Sequence, residues 1–188
     1  MKENLKLGGI LLIITAIAGL LLGAAHSITK EPIAKQEQMT KNLAMKEILP
    51  EAEEFKVKDI ALEGIVQEVN EGIASGKTAG YAIKVAPKGY GGAIQLMVGI
   101  STDGKIKGIK ILSHSETPGL GANAPQPKFS NQFKNKPIDK VLQVVKQTPS
   151  SDNQIEAITG ATITSKAVTS GVNEAVNFYN TKLKGAAK

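Results

Sequence analysis

The sequence predicts an α+β domain, a twisted, largely antiparallel sheet flanked by helices, preceded by one N-terminal transmembrane helix. Three stretches carry this expectation. Residues 7–25 are apolar or small and carry no charge, a run of 19 residues that is just long enough to cross a hydrocarbon core as a helix. Residues 93–101 and 105–113 are two apolar segments joined by Thr102-Asp103-Gly104. Asp-Gly between such segments signals a hairpin, because both residues tolerate the left-handed backbone that tight turns require. Finally, Val168, Val172, Ala175, Val176, Tyr179 and Leu183 fall on one face of a 3.6-residue period. They predict a closing amphipathic helix that buries this face against the sheet.

Taken in order, Lys2 and Lys6 precede the apolar run, which keeps the N-terminus in the cytoplasm and places the rest of the chain outside it. Gly23-Ala24-Ala25 resembles a signal-peptide cleavage site, but the run is long for a signal-peptide core, and an uncleaved anchor is the preferred reading. Pro32 suits the first turn of a new helix, a stalk that Pro50 ends. The expected boundaries are a stub at 1–6, a transmembrane helix at 7–25, a stalk at 26–54 and a folded domain at 55–188. Within the domain, 55–61 and 65–69 read as short strands and 70–77, with Gly72 and Gly76, as a turn or loop. Residues 80–86 read as a strand and 87–92 as a Gly-rich turn. Phe129 and Phe133, at i,i+4, pin a short helix to the core. Residues 141–145 form a further strand, and 155–158 lead into the last helix.

Composition removes several chemistries. No Cys is present, which excludes disulfides, thiolate-held iron–sulfur clusters and a cysteine nucleophile. The two His, His26 and His114, leave little for a transition-metal site, and His114 reads as a sheet-rim residue. The net charge of +6 comes from scattered lysines, not from a basic block interleaved with aromatics, so nucleic acid is not an expected partner. A basic surface beside anionic lipid or an acidic partner is the simpler account. Ser27 and Lys30, Ser151-Asp152-Asn153 and Lys77-Thr78-Ala79 echo the three motifs of serine acyl-transferring enzymes. Their order is wrong, the third lacks its Gly, and Ser27 lies at the membrane exit. No catalytic residue is assigned.

Two stretches remain. Residues 158–165, Ile-Thr-Gly-Ala-Thr-Ile-Thr-Ser, gather three Thr and a Ser at the start of the last helix. Unpaired N–H groups and the helix dipole favour an anion there, so a phosphate is one reading; an ordinary N-cap by Thr162 or Thr164 is the other. Residues 116–121, Glu-Thr-Pro-Gly-Leu-Gly, follow a central strand. They suit either close backbone approach to a flat ligand or a plain Pro-Gly turn with a solvated Glu.

Thr159-Gly160-Ala161-Thr162 before Ile163-Thr164-Ser165, with Glu116-Thr117-Pro118-Gly119-Leu120-Gly121 upstream and a single anchor in front, resembles the FMN-binding domain family. Within that family the chain resembles the G subunit of the Rnf (also called Rsx) electron-transport complex, RnfG; the NqrC component of sodium-pumping quinone reductases shares the flavin motif. The resemblance spans essentially the whole chain. It implies that FMN is joined through its phosphate to the hydroxyl of Thr162 by a separate FAD-dependent flavin transferase, which leaves Thr164 as the N-cap. Thr159, Gly160, Ala161, Ser165 and Lys166 are expected beside the cofactor, with the phosphate near the N–H groups of Ser165, Lys166 and Ala167. The flavin ring or ribityl chain is expected against Glu116, Thr117, Gly119, Leu120 and Gly121. One departure stands out: the family usually has Asp where this chain has Glu156.

The resemblance further implies a single-pass protein of the inner or plasma membrane whose 55–188 FMN-binding domain is extracytoplasmic. Its partners would be the other membrane and soluble subunits of the Rnf complex, the flavin transferase and the bilayer. Its role would be an electron relay, with no catalysis alone and no metal. An NqrC-type component and an unflavinylated tethered binding or assembly module are the alternatives.

Overall fold

The computed structural model describes residues 2–185; Met1 and 186–188, the ends of the expected stub and domain, lie outside the described residues. The chain divides into two units, the first ending at Lys41 and the second beginning at Asn42. The described residues of the first unit are all helical. Helix α1 runs Lys2–Ile48, so its last residues belong to the second unit. An 18-residue window of α1 is apolar enough to cross a membrane, and none of that window is buried within the protein.

Pro32 does not begin a new helix, contrary to the expectation from sequence; it lies inside α1. Proline removes one i→i−4 bond and crowds one carbonyl, yet the turns on either side stay helical. Just upstream, the Ser27 hydroxyl donates to Gly23 O (3.0 Å) and the Thr29 hydroxyl to Ala25 O (2.9 Å), tying side chains back onto this part of the helix.

In the second unit, β1 (Glu54–Val57), β2 (Val66–Ala74), β3 (Lys77–Val85), β4 (Gln95–Ser101), β5 (Lys105–Ser113) and β6 (Lys136–Pro137) form one sheet in sequence order. Every neighbouring pair is antiparallel. The α+β class with a largely antiparallel sheet is therefore borne out. The segment 70–77 is not a loop. Strand β2 continues to Ala74, and the reversal is confined to Ser75 and Gly76, at φ 48° and 75°. Gly72 serves close packing instead: a Cβ there would lie 2.9 Å from the Ala52 Cβ. The strand expected at 55–61 stops at Val57, and the one expected at 141–145 shortens to β7 (Gln143–Val145), which pairs in parallel with β8 (Gln154–Glu156).

Alternation along the central strands fills two cores. Tyr81, Ile83, Leu96, Val98 and Ile100 face helix α3 (Thr162–Phe178), which delivers Val168, Val172 and Ala175 to the same cluster. The helical period in the sequence thus predicts the buried face of α3. Tyr179, in a π-helical turn that extends α3, meets Tyr81 in a tilted ring contact at 5.9 Å. Ala82 and Met97 point the other way, onto Met45, Ile48 and Leu49 at the end of α1. Gly99 lets that end approach, since a Cβ there would lie 2.9 Å from Ile48 O. Ion pairs Lys110–Glu47 (2.6 Å) and Lys107–Glu51 (2.7 Å) rim this contact. Phe129, in the short helix α2 (Pro127–Ser130), meets Phe133 edge-on at 5.5 Å.

One surface cluster gives a pH-dependent term. The Glu71 carboxylate accepts from the Thr78 hydroxyl (2.5 Å) and pairs with Lys58 Nζ (3.2 Å). The hydroxyl bond first, and the ammonium with it, hold the Glu71 carboxyl below its ordinary value of 4.5. A depressed folded-state value contributes stability above the ordinary carboxylate range, and that contribution is lost as pH falls through the folded value. The difference in urea midpoint between wild type and Glu71→Gln is therefore expected to shrink between about pH 6 and about pH 3.

Candidate cofactor site

The site forms where strand β8 turns into α3. Ala157 N–H donates to Val145 O (2.8 Å), Ile158 N–H to Ser165 Oγ (2.9 Å) and Ala161 N–H to Ile158 O (2.9 Å). Gly160 sits at φ 75°, and a Cβ there would also lie 2.9 Å from Leu120 Cδ2, so left-handed backbone and close approach both require glycine. The first i→i−4 bond of the helix runs from Ser165 N–H to Ala161 O (3.0 Å). The open first-turn donors are therefore the N–H groups of Thr162, Ile163 and Thr164. They are not those of Ser165, Lys166 and Ala167, which the helix ladder consumes.

The N-cap also differs from expectation. Ala161 occupies it without a side-chain bond, and Thr164 lies inside the first turn. Thr164 is 2% exposed, and its hydroxyl makes a short hydrogen bond to Glu116 Oε2. Four neighbouring hydroxyls cannot be told apart by residue type; the path by which the chain enters α3 separates their roles.

Glu116 is not a solvated turn residue. It is 5% exposed, and its second oxygen, Oε1, accepts Gly91 N–H at 2.9 Å. Its own N–H donates to His114 Nδ1 (3.2 Å), which accounts for His114 at the sheet rim. One carboxylate thus ties three segments: the 116–121 loop, the 89–92 turn and the first turn of α3. The glycines around it leave no room for side chains. A Cβ on Gly89 would overlap Glu116 Oε1, and one on Gly121 would lie 2.5 Å from Thr164 Oγ1. Beyond Glu116 the loop bonds to itself, with Leu120 N–H and Ala122 N–H both donating to Thr117 O (3.2 and 3.1 Å).

These segments wall a cleft of about 490 Å³. Gly160, Ala161 and Thr162 line one side, and Glu116, Thr117, Leu120 and Gly121 line the other. Ile163, Thr164 and Tyr90 complete it. Thr162 is half-buried. Not every expected residue lies here. Gly119 and Thr159 line a neighbouring cavity of about 780 Å³, together with Phe129, Gln132 and Glu156. The larger cavity has Lys128 on its wall but lacks Thr162 and the first-turn donors, so the smaller is the better candidate for an anionic group held at the helix N-terminus. Glu156 is held through its backbone by Gln132, which donates to its O (3.2 Å) and accepts its N–H (2.7 Å). Ser165 is fully buried and locks the turn, donating to Ala161 O at 2.9 Å. Lys166 is exposed and lines neither cavity. Tyr90 is absent from the residues expected from sequence, although a lone aromatic in Gly89-Tyr90-Gly91-Gly92 was a usable signal.

The cleft suits a phosphorylated flat cofactor. Its volume falls within the usual range for small-molecule sites, its glycines form a cradle that a Cβ would fill, and helix N–H donors stand beside a hydroxyl able to form an ester.

Residues 89–177 match the model of the FMN-binding domain, a span that begins at the Tyr90 turn and includes every residue of the cleft. The G subunit of the Na(+)-translocating ferredoxin:NAD(+) oxidoreductase complex of Acetobacterium woodii is 41% identical, over 95% of this chain and 92% of its own. The G subunit of the proton-translocating ferredoxin:NAD(+) oxidoreductase complex of Clostridium ljungdahlii is 43% identical, over 88% of this chain and 85% of its own. Among solved structures, the C subunit of the Na(+)-translocating NADH-quinone reductase of Parabacteroides distasonis superposes with a TM-score of 0.55 at 25% identity, covering 69% of this chain and 76% of its own. The chain therefore belongs to the family of G subunits of ion-translocating oxidoreductase complexes, built on the FMN-binding domain.

Proposed function

We propose that this chain is the membrane-anchored electron-relay subunit of an Rnf-type ion-translocating ferredoxin:NAD⁺ oxidoreductase, carrying FMN covalently on Thr162. The observation that carries the reading is the half-buried Thr162 hydroxyl, at the open N-terminus of α3 and in one cleft with the 116–121 loop. Attachment makes a bond between Thr162 Oγ1 and the FMN phosphorus. A flavin transferase supplies FMN from FAD, AMP leaves with the broken diphosphate bond, and the threonine proton is released. The small Gly160 and Ala161 let that enzyme reach the oxygen. The N–H groups of Ile163 and Thr164 face the remaining phosphate charge. Thr117, Leu120 and Gly121 bound the space for the rest of the cofactor, and Glu116 holds the walls together. Bound FMN would take up and pass on electrons; the chain contributes attachment, orientation and environment. Ser165 acts by locking the turn.

The domain lies outside the cytoplasm, where a covalent bond prevents loss of the cofactor. Lys2 and Lys6 before the apolar stretch of α1 support this orientation. An NqrC-type role has the structural likeness in its favour but a lower identity than the RnfG-type relatives. The other components of the complex and the bilayer are the expected partners.

The test is a denaturing gel of the full chain, expressed with and without a flavin transferase and viewed under ultraviolet light. A fluorescent band only with the transferase is the expected result. A dark band under both conditions contradicts the proposal and favours a binding or assembly module. An alkaline phosphatase fused to the C-terminus is expected to be active, since that enzyme requires an extracytoplasmic location.

A further inference from the structure

The chain has four Phe, three Tyr and no Trp. Five of these seven are nearly inaccessible: Phe133 and Tyr81 at 0%, Tyr179 at 3%, Phe129 and Phe178 at 4%. Phe55 is half-buried against the α1 side of the sheet. Tyr90 is 70% exposed, the exception among the described residues.

Exposure on a mobile loop would need no explanation, but the turn that carries Tyr90 is rigidly built. Gly89 N–H donates to Gly92 O (2.7 Å), Ile94 N–H donates to Pro87 O (2.9 Å), and Lys88 bridges Ala93. From outside the turn, Glu116 Oε1 accepts Gly91 N–H at 2.9 Å. A Cβ on Gly91 would overlap Ser115 O, so the turn lies flat on the 115–116 backbone. Both neighbours of Tyr90 are thus pressed into the wall of the site, and the phenol ring is left at the margin of the cleft that also contains Thr162.

We infer that Tyr90 is the stacking residue of this cleft, covering one face of a flat heteroaromatic ring tethered at Thr162. Offset stacking of an electron-rich phenol on an electron-poor isoalloxazine is a favoured arrangement for two π-systems. Because backbone bonds already order the turn, only the two side-chain torsions of Tyr90 remain to be fixed when it stacks. Glu116 then acts on the ring indirectly, through the Gly91 N–H that it anchors.

The inference rests on the proposed attachment at Thr162, and its test separates the two. Full-length wild type, Tyr90→Ala, Tyr90→Phe and Tyr90→Trp are loaded with the transferase, and bound flavin is quantified by absorbance after unfolding. Fluorescence per flavin and visible circular dichroism are then read on the folded proteins. A stacked phenol quenches flavin emission by passing an electron to the excited ring and taking it back. Tyr90→Ala is expected to raise emission several-fold and weaken the visible dichroism. Tyr90→Phe should raise emission while keeping the dichroism, and Tyr90→Trp should stay quenched. All four should converge in denaturant. Equal emission and dichroism in wild type and Tyr90→Ala, at equal loading, would overturn the stacking role and leave attachment standing. A wild type without covalent flavin would overturn both.

Discussion

Thr162→Ala is expected to eliminate covalent flavin completely, while Thr164→Ser retains it. Four hydroxyls compete for the role, and their surroundings decide between them. Ser165 is fully buried, engaged with Ile158 N–H and Ala161 O. Thr164 is 2% exposed and its proton is committed to Glu116. Thr159 is exposed but opens onto the neighbouring cavity, away from the first-turn N–H groups. Thr162 combines access with those donors. Thr164→Ala should cost about 1–3 kcal/mol, because it removes the donor to a buried carboxylate. Flavin should still attach to that variant under conditions where it remains folded. In-gel fluorescence, normalised to protein, checks all three variants.

Glu116→Ala is expected to be the most destabilising single change at the site, by about 2–4 kcal/mol. Two donors, Gly91 N–H and the Thr164 hydroxyl, lose their acceptor at a position only 5% exposed. The glycines packed on the carboxylate keep neighbouring side chains from filling the space. Because Glu116 joins three segments, their separation should also reduce flavin loading. Glu116→Gln should recover most of the stability: its amide oxygen can accept Gly91 N–H, and its NH₂ can donate to Thr164 Oγ1. Urea denaturation of the three proteins tests the ordering. Equal midpoints for wild type and Glu116→Ala would show that the carboxylate does not hold the walls together.

What could be read from sequence was local. The hairpin of β4 and β5 follows from Asp103-Gly104, and the buried face of α3 from a period that needs no partner to be recognised. The two stretches that meet in the cleft were also legible, one as a hydroxyl cluster and the other as a Gly-rich loop after a strand. Their joint was not. Glu116 bonds to residues 25 and 48 positions away, and such a contact exists only once the sheet register and the entry into α3 are fixed. The N-cap differs from the expected Thr164 for the same reason: Thr162 and Thr164 are equivalent candidate caps until the turn at Gly160 sets which residue starts the helix. Tyr90 reads as a turn residue until Glu116 draws that turn to the cleft. Pro32 marks the limit of a local rule, since a proline can be accommodated within a long helix.

Attachment at Thr162 is tested most directly on the wild-type chain, purified from membranes of cells that make the transferase. Cleavage after Lys146 and Lys166 releases a peptide of residues 147–166, which contains Thr159, Thr162 and Thr164. A mass increase of one FMN less one water is expected, with fragment ions placing it on Thr162. An unmodified peptide, or the same mass placed on Thr159 or Thr164, would contradict the assignment.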